Sequence, residues 1–270
     1  MTLLYQLWAY LRRDYLLASA SRLAFIWQVS SVLFAAPTLY FMGRLIQPGA
    51  SPHLARFGGD YFAFVILGVA LLGFLSAGMG AAAAAVRHEQ LVGTLETVLS
   101  TPAPLPTLGV GASLWATLIA AGQALLYLLL GVRVFGMDVT GANFSSAVLL
   151  VVLASAAYAS LGIFSAAFVL IFKYPDPFTT AFAAVSAFLA GVFYPTTVLP
   201  PLLQQLAELL PLTHAVRGLR LAILQGYSPA ALWREIFFLA LFILIAVPLA
   251  MVAFKLALVQ AKRSGTLGAY

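Results

Sequence analysis

"YFAFVILGVALLGFLSAGMGAAAAAVRHEQLVGTLETVLSTP", residues 61–102, joins a long apolar run to a short polar segment. The run at 61–86 contains no charged residue, and about 20 apolar residues are enough for a helix to cross a bilayer. The segment that follows holds Glu89 and Glu96, two of the few carboxylates in the chain. The stretch therefore predicts a membrane-spanning helix that leads into a polar element at the membrane surface.

The composition of the whole chain points to lipid as its main solvent. The 270 residues are 63% hydrophobic and only 8% charged, and the mean hydropathy is +1.02. A soluble domain has about 25% charged residues and cannot bury so much apolar surface. The formal net charge of +6 comes from scattered basic residues that flank apolar runs, as expected beside lipid headgroups rather than nucleic acid. We expect an all-α integral membrane protein with lipid contacts and no nucleic-acid partner.

Six apolar runs are long enough to be considered as membrane crossings. They cover residues 23–43, 61–86, 107–132, 145–172, 178–194 and 236–259. Six crossings place both termini on one side, and the basic residues near the termini favour the cytoplasm. We expect a transmembrane domain at 23–260 and a cytoplasmic tail at 261–270.

The first residues, 1–22, show apolar side chains at helical spacing. Leu4, Leu7, Trp8 and Leu11 recur on one face, whereas Arg12 and its neighbours lie mostly elsewhere. This pattern is typical of an amphipathic helix lying in the interface. The alternative is an irregular start to the first spanning helix.

Residues 195–213 are apolar but interrupted by prolines, which remove backbone donors and break helices. These are Pro195, Pro200, Pro201 and Pro211. One straight spanning helix is therefore excluded. A re-entrant hairpin or an interfacial helix on the outer side is expected, because broken backbone at membrane depth must be covered by protein or water.

Residues 88–100 predict a short amphipathic helix. Leu91, Leu95 and Leu99 share one face, and the prolines at 102, 104 and 106 stop the helix. Gly93 lies within it and costs about 1 kcal/mol relative to alanine in a helix. This element is either a cytoplasmic docking surface with exposed acidic groups or an interfacial loop helix without a partner.

The sequence offers little for chemistry within the membrane. Its three histidines, His53, His88 and His214, have no metal-ligand spacing, and the chain contains no cysteine. A phosphate-binding loop needs a lysine directly after glycine, and none of the three lysines follows a glycine. We expect no catalytic residue, metal or cofactor in this chain, so that any ATP must be hydrolysed by another polypeptide.

Two motifs carry a resemblance to a known family. "EQLVGTLETVLSTP" at 89–102 and "FYPTTVLPPLLQQLAELLPLTHAVRGLR" at 193–220 resemble the permease subunits of ABC-type exporters of the second structural class. The order of the motifs, the number of apolar runs and the chain length agree with that family. Its permeases for drugs, lipid-linked oligosaccharides and nodulation-type factors are the most similar in style.

The resemblance implies a role for each motif. Residues 88–100 would be the coupling helix, which would contact a separate ATPase through Glu89, Gly93, Thr94, Leu95 and Glu96. The segment 195–213 would form an external re-entrant gate, with the motif residues Tyr194, Pro195, Pro200, Pro211 and His214. The implied assembly has two permease copies, most simply a homodimer, and two nucleotide-binding ATPase subunits that hold ATP and Mg.

The substrate is predicted only as a class. Polar side chains within the runs are few, and Gln28, Ser31 and Gln123 are the candidates for lining a pathway. Each could instead make an ordinary interhelical hydrogen bond. A pathway lined by apolar and small residues favours an amphiphile, such as a lipid, a drug or a lipid-linked glycan.

Two other functions stay open at this point. A secondary transporter driven by an ion gradient would need carboxylates at membrane depth. The four aspartates, Asp14, Asp60, Asp138 and Asp176, lie at or beyond the ends of the runs, which disfavours it. A non-transport membrane component coupled to an ATPase would carry the same polar segment as a permease.

Overall fold

A computed structural model of the chain describes residues 8–9, 11–16, 22–45, 52–94, 106–172 and 177–263. Within these ranges every regular element is a helix and no strand is present, which confirms the all-α prediction. The long helices are α1 (Arg22–Leu45), α2 (Tyr61–Val92), α3 (Pro106–Arg133), α4 (Phe144–Phe172) and α8 (Trp233–Arg263). Shorter helices are α5 (Pro177–Leu189), α6 (Pro201–Ala207) and α7 (Pro211–Gln225), with 3-10 turns at Pro52–Phe57 and Thr196–Val198.

The five long helices are apolar enough to cross a membrane, and they match five of the six predicted runs. The remaining run, 178–194, forms only the 13-residue helix α5. At 1.5 Å per residue this helix is about 20 Å long, shorter than the roughly 30 Å hydrocarbon core. Six full crossings therefore stay a prediction. The reason for the short helix is local, since Gly191 adopts a left-handed φ of 73° that ends the helical path.

Helix α2 is the centre of the bundle. It is the most buried of the five candidate spans and contacts α1, α3, α4, α5 and α7. In contrast, α1 and α8 expose large apolar side chains such as Trp27, Phe34 and Leu244. Faces of this kind suit contact with lipid chains. α2 is thus the helix that connects the inner contacts of the bundle, whereas α1 and α8 lie at its surface.

The closest approach of α2 and α4 depends on two glycines. A Cβ placed on Gly162 would lie 2.4 Å from the carbonyl oxygen of Gly78 and 3.0 Å from that of Met79. A Cβ on Gly78 would lie 2.8 Å from Cβ of Tyr158. Small residues permit such close helix contact in lipid. Gly80 of α2 does not take part in this contact, because a Cβ there would meet nothing within 4 Å.

The bundle has two ends, which we name after the residues that organise them. At the Arg220 end, α2 begins beside Arg220, whose Nε lies 2.8 Å from the Phe64 carbonyl oxygen. At the Glu89 end, α2 stops beside the N-terminal residues. Those at 8–9 and 11–16 are helical, and Tyr15 packs edge-to-face on Trp115 of α3 with ring centroids 6.1 Å apart. The rest of the predicted N-terminal helix lies outside the described residues.

Candidate functional sites at the two ends of the bundle

The polar segment at the Glu89 end begins as the last turn of α2. The helix continues through residues 88–92, and Gly93 then takes a left-handed φ of 75° as its C-terminal cap. The backbone N–H groups of Gly93 and Thr94 donate to the carbonyls of Gln90 and Glu89, which satisfies the open carbonyls of the helix end. The prediction of a separate helix beginning at 88 is therefore wrong. No residue between 61 and 92 breaks the helix, so the chain first turns at Gly93.

Glu89 is buried at this helix end rather than exposed. Its relative exposure is 7%, so the expectation of an outward-facing acidic group is wrong for this residue. Its Oε2 accepts a hydrogen bond of 2.5 Å from the Thr94 hydroxyl, and its Oε1 lies 3.4 Å from Nη1 of Arg13. Arg13 also donates from Nε to Asp14. The carboxylate thereby joins the N-terminal helix, the end of α2 and Thr94, which follows the Gly93 turn.

Of the other predicted coupling residues, only Gly93 and Thr94 lie within the described part of the chain. Leu95 and Glu96, with the rest of the segment to residue 100, lie outside the described residues. Gly93 faces open space, since a Cβ there would meet nothing within 4 Å. In the described part of this end, the site consists of the buried Glu89 carboxylate and the open turn at Gly93.

At the Arg220 end, residues 195–213 form a 3-10 turn, α6 and the start of α7. This confirms that the segment is not one straight helix. The predicted gate prolines act as helix starters: Pro200 precedes α6, and Pro211 opens α7, positions where a missing N–H costs nothing. Pro195 caps the 3-10 turn, and the hydroxyl of Tyr194 donates to the Phe188 carbonyl at 2.5 Å.

Arg220 is the organising residue of this end. It is buried, with 3% exposure, and its guanidinium donates to three backbone carbonyls at 2.8 Å each: those of Phe64, Gly191 and Val192. The guanidinium carbon also lies 3.3 Å from the ring centroid of Phe64. One side chain of α7 therefore holds the start of α2 and the chain just after α5.

Space for that guanidinium is provided by a glycine of α2. A Cβ on Gly68 would lie 2.6 Å from Nη2 of Arg220 and 2.7 Å from the carbonyl oxygen of Val192. Carbonyls at a helix C-terminus carry partial negative charge, so the end of α5 is a suitable partner for a buried cation. Among the described residues no carboxylate lies within ion-pair distance of Arg220.

A cluster of charged residues surrounds the hairpin beside Arg220. Arg217 forms a two-point ion pair with Glu208, in which one of the contacts, Nη1 to Oε2, is 3.1 Å long. Arg234 approaches the same carboxylate at 3.6 Å, and Glu235 lies 4.0 Å from Arg217. Burial tends to raise the pKa of Glu208, but the hydrogen bond and charge of Arg217, together with the charge of Arg234, outweigh it and hold that pKa below the usual value. The pairs fasten α6 and α7 to the start of α8.

His214, predicted as a gate residue, lies inside this cluster. Its ring stacks on Phe238 of α8 at 3.9 Å, and its Nε2 lies 2.9 Å from the Glu208 carbonyl oxygen. Burial lowers the pKa of His214, so the ring is held in its neutral form. It therefore packs the hairpin against α8 rather than acting as a free base.

This histidine gives a prediction for acid stability. Unfolded His214 gains a proton near its ordinary pKa of 6.5, whereas the folded ring resists it, so stability present above that pH is lost as the pH falls below it. Thermal unfolding of the full chain in detergent should occur at lower temperature at about pH 5.5 than at about pH 7.5. Glu208 stays ionised over this range because its pKa lies below the usual 4.5.

The control for this experiment is the exposed histidine at the same end. His214→Gln should remove most of the pH dependence, while His53→Gln should leave it. His53 lies on the surface, 2.9 Å from the Thr197 hydroxyl. Equal pH dependence in wild type and His214→Gln would contradict the assignment.

Among the described residues, no hydrogen bond joins Gln123 to Gln28 or Ser31, the other two residues predicted to line a pathway. Gln28 and Ser31 lie on α1, where the Ser31 hydroxyl donates to the Gln28 carbonyl at 2.7 Å. Gln123 lies on α3 and is half-buried. The Ser31 hydrogen bond is local to its own helix, which is the ordinary role that a serine takes in an apolar helix.

A cavity of about 640 Å³ opens at the Arg220 end. Its lining includes Glu208, Thr213, Arg217, Arg220 and Arg234. Sequence reasoning missed this arrangement, although one signal was available. Arg220 interrupts the apolar face of α7, and a charged residue among buried positions is costly unless partners are provided.

These features define a multi-pass helical membrane protein, and within the described residues no group of acidic or histidine side chains could hold a metal ion. The profile of the ABC-2 type transporter family matches residues 5–224, and the chain belongs to that family. It is thus the transmembrane, non-catalytic component of an ABC transporter, and members of this family work with an ATPase subunit. The resemblance noted in the two sequence motifs is confirmed.

Among curated proteins the chain is similar to Nodulation protein J of Sinorhizobium fredii (strain NBRC 101917 / NGR234). The two are 28% identical over 196 residues, which cover 68% of this chain and 73% of the relative. The match extends over most of both chains.

Proposed function

We propose that this chain is the permease of an ATP-driven exporter that moves an amphiphile outward across the bacterial inner membrane. Its membership of the ABC-2 type family supports a transport role. The apolar, small-residue surfaces of the long helices favour a lipid, a drug or a lipid-linked glycan over a small ion. ATP and Mg would be held by a separate ATPase, and the family pattern favours two permease copies with two ATPase subunits.

In the proposed orientation the Glu89 end faces the cytoplasm and the Arg220 end faces outward. Arg13 contacts Glu89, and Arg12 is its neighbour in the sequence. Lys255 and Arg263 lie on the final part of α8, which packs in one cluster with Val86 near the end of α2. An excess of basic residues is typical of cytoplasmic ends. Both termini would then be cytoplasmic, and the short helices α5 and α6 would form the outer, re-entrant part.

The observation that carries the proposal is the partly buried contact between Glu89, Arg13 and Thr94. Thr94 is the first residue beyond the Gly93 turn, and its hydroxyl is held to Glu89 on the last turn of α2. A displacement of residues 94–100 by an ATPase would therefore displace α2 as well, because the Thr94–Glu89 hydrogen bond links the two directly. Because α2 contacts five other helices, such a displacement would reach the whole bundle.

This geometry supports two different roles among the predicted coupling residues. Glu89 is a positioning residue, because it is buried and acts through Thr94 and Arg13. Gly93 faces open space, and we propose that it contacts the ATPase together with Leu95 and Glu96. Sequence reasoning alone had given Glu89 the contact role as well.

Glu89→Gln and Thr94→Val should uncouple ATP hydrolysis from transport. Each weakens the link between the Gly93 turn and α2, while the exposed contact surface is kept. We expect ATPase binding close to wild type and substrate moved per ATP reduced by about tenfold, the effect of roughly 1.4 kcal/mol of lost coupling. The measurement is flux against phosphate release in vesicles that contain both subunits.

The matched control is Asp138→Asn, which removes an exposed carboxylate at the other end of the bundle. It should leave the ratio of flux to ATP unchanged. The double variant Arg13→Glu with Glu89→Arg restores the ion pair with its charges exchanged. It should therefore move more substrate per ATP than Glu89→Gln does. If Glu89→Gln keeps the full ratio, the contact is merely structural.

Gly93→Arg should weaken the binding of the ATPase itself. The left-handed turn is unfavourable for any residue with a Cβ, and a bulky cation would occupy the proposed contact surface. The control is Gly136→Arg, because Gly136 has a similar φ of 71° and equal open space but lies at the opposite end. Co-purification with the ATPase should fall only for Gly93→Arg and for Glu96→Arg; equal affinity for all three would end the coupling assignment.

Two rival functions are an ion-driven carrier and a membrane component that performs mechanical work, and the vesicle assay of flux against phosphate release tests both. Asp60 caps the start of α2 by accepting from the Phe62 N–H at 2.9 Å, and Asp138 accepts from Thr140. Carboxylates engaged at a helix start and in a loop outside the long helices do not favour an ion-driven carrier. ATPase stimulation without flux would favour a membrane component that performs mechanical work instead of export.

A further inference from the structure

The cavity at the Arg220 end carries more positive than negative side chains, which suits the binding of an anion. Its lining contains three arginines, Arg217, Arg220 and Arg234, against one glutamate, Glu208. Glu235 adds a second carboxylate nearby, 4.0 Å from Arg217. Even with both carboxylates counted, positive charge is in excess, so the cavity attracts an anionic group.

The three arginines differ in how fully they are already used. Arg217 is paired with Glu208 and Glu235. Arg220 has no carboxylate partner among the residues that the structure describes, and its three hydrogen bonds go to neutral carbonyls. Arg234 is 67% exposed and meets Glu208 only at 3.6 Å. The charge available to a ligand therefore comes from Arg220 and Arg234.

A second, independent observation is an unpartnered hydroxyl. Thr213 lines the cavity and is 1% exposed, yet its Oγ1 has no hydrogen-bond partner. Buried polar groups are rarely left unsatisfied, because the loss costs about 1–3 kcal/mol. An acceptor oxygen supplied by a ligand would satisfy it.

The chemistry of these groups selects the kind of anion. Guanidinium groups and a hydroxyl together offer several donors, and a phosphate presents several acceptor oxygens. A volume of about 640 Å³ is within the range of sites for small molecules and leaves space for more than the phosphate alone.

We propose that this cavity binds the phosphate group of an amphiphile through Arg234, Arg220 and Thr213. The inference deepens the proposed function, on which its role in export rests: the site would receive the head group of the exported molecule at the outer end. Phosphate binding requires neither ATP nor the ATPase. A failure to bind phosphate would therefore leave the export proposal intact, and a failure to export would leave the binding proposal intact.

The test uses the full chain in a sugar-based detergent and phosphate-free buffer. The probes are dihexanoyl phosphatidic acid, inorganic phosphate and dihexanoylglycerol, which lacks the phosphate. Phosphatidic acid should bind and dihexanoylglycerol should bind at least about tenfold more weakly. Arg234→Gln should weaken phosphatidic acid binding by about tenfold and Thr213→Val by about fivefold.

The matched control is Arg133→Gln, which removes an exposed charge at the end of α3, outside the cavity lining. It should leave binding unchanged. Inorganic phosphate that binds as tightly as phosphatidic acid, with the same dependence on Arg234 and Thr213, would support the site and identify free phosphate as its source. Binding that is absent, or that responds equally to Arg133→Gln and Arg234→Gln, would overturn the proposal.

Discussion

Arg220→Met is expected to destabilise the protein by about 3–5 kcal/mol, because three carbonyl oxygens lose their shared donor. The carbonyls of Phe64, Gly191 and Val192 converge on the guanidinium. Without it, their partial negative charges face one another in a buried site. Removing the charge also removes its desolvation cost, but methionine offers the carbonyls no hydrogen bond in return.

The effect should appear as a fall of roughly 10 °C in the unfolding temperature of the detergent-solubilised chain. Arg133→Met is the control, since Arg133 is exposed near the same end. Arg220→Lys should be intermediate, because a compact ammonium cannot reach three divergent oxygens as a planar guanidinium does. Equal stability of Arg220→Met and Arg133→Met would show that the carbonyls are satisfied in another way.

Gly162→Ala is expected to have the second large effect, a loss of about 2–3 kcal/mol. The new methyl group would lie 2.4 Å from the Gly78 carbonyl oxygen and 3.0 Å from that of Met79. Both obstacles are backbone atoms, so no side-chain rotation relieves them and α4 must move away from α2. The unfolding temperature and the yield of folded protein should both fall.

Gly122→Ala is the matched control for this substitution. Gly122 also lies within a long helix, but a Cβ there would meet nothing within 4 Å. Alanine should be neutral or stabilising by up to about 1 kcal/mol at such a position. If Gly162→Ala behaves like Gly122→Ala, the close crossing of α2 and α4 is not required for the fold.

The sequence by itself determined where the long helices lie. Hydropathy is a local property, and a run such as 61–86 has no stable solution in lipid except a helix. For the same reason the broken character of 195–213 was predictable, since proline restricts its own backbone and that of its neighbours. The two motifs were also sufficient to indicate the family.

The tertiary structure alone decided how the polar residues are used. Glu89 and Arg220 are both charged residues in an apolar chain, and sequence could not distinguish a buried, partnered group from an exposed one. Burial depends on which distant segments arrive, here Arg13 beside Glu89 and Gly191 beside Arg220. The sequence likewise could not tell that Gly162 is a contact glycine and Gly80 is not. The missing Cβ of a glycine matters only where a second helix packs against it, and that depends on the tertiary structure.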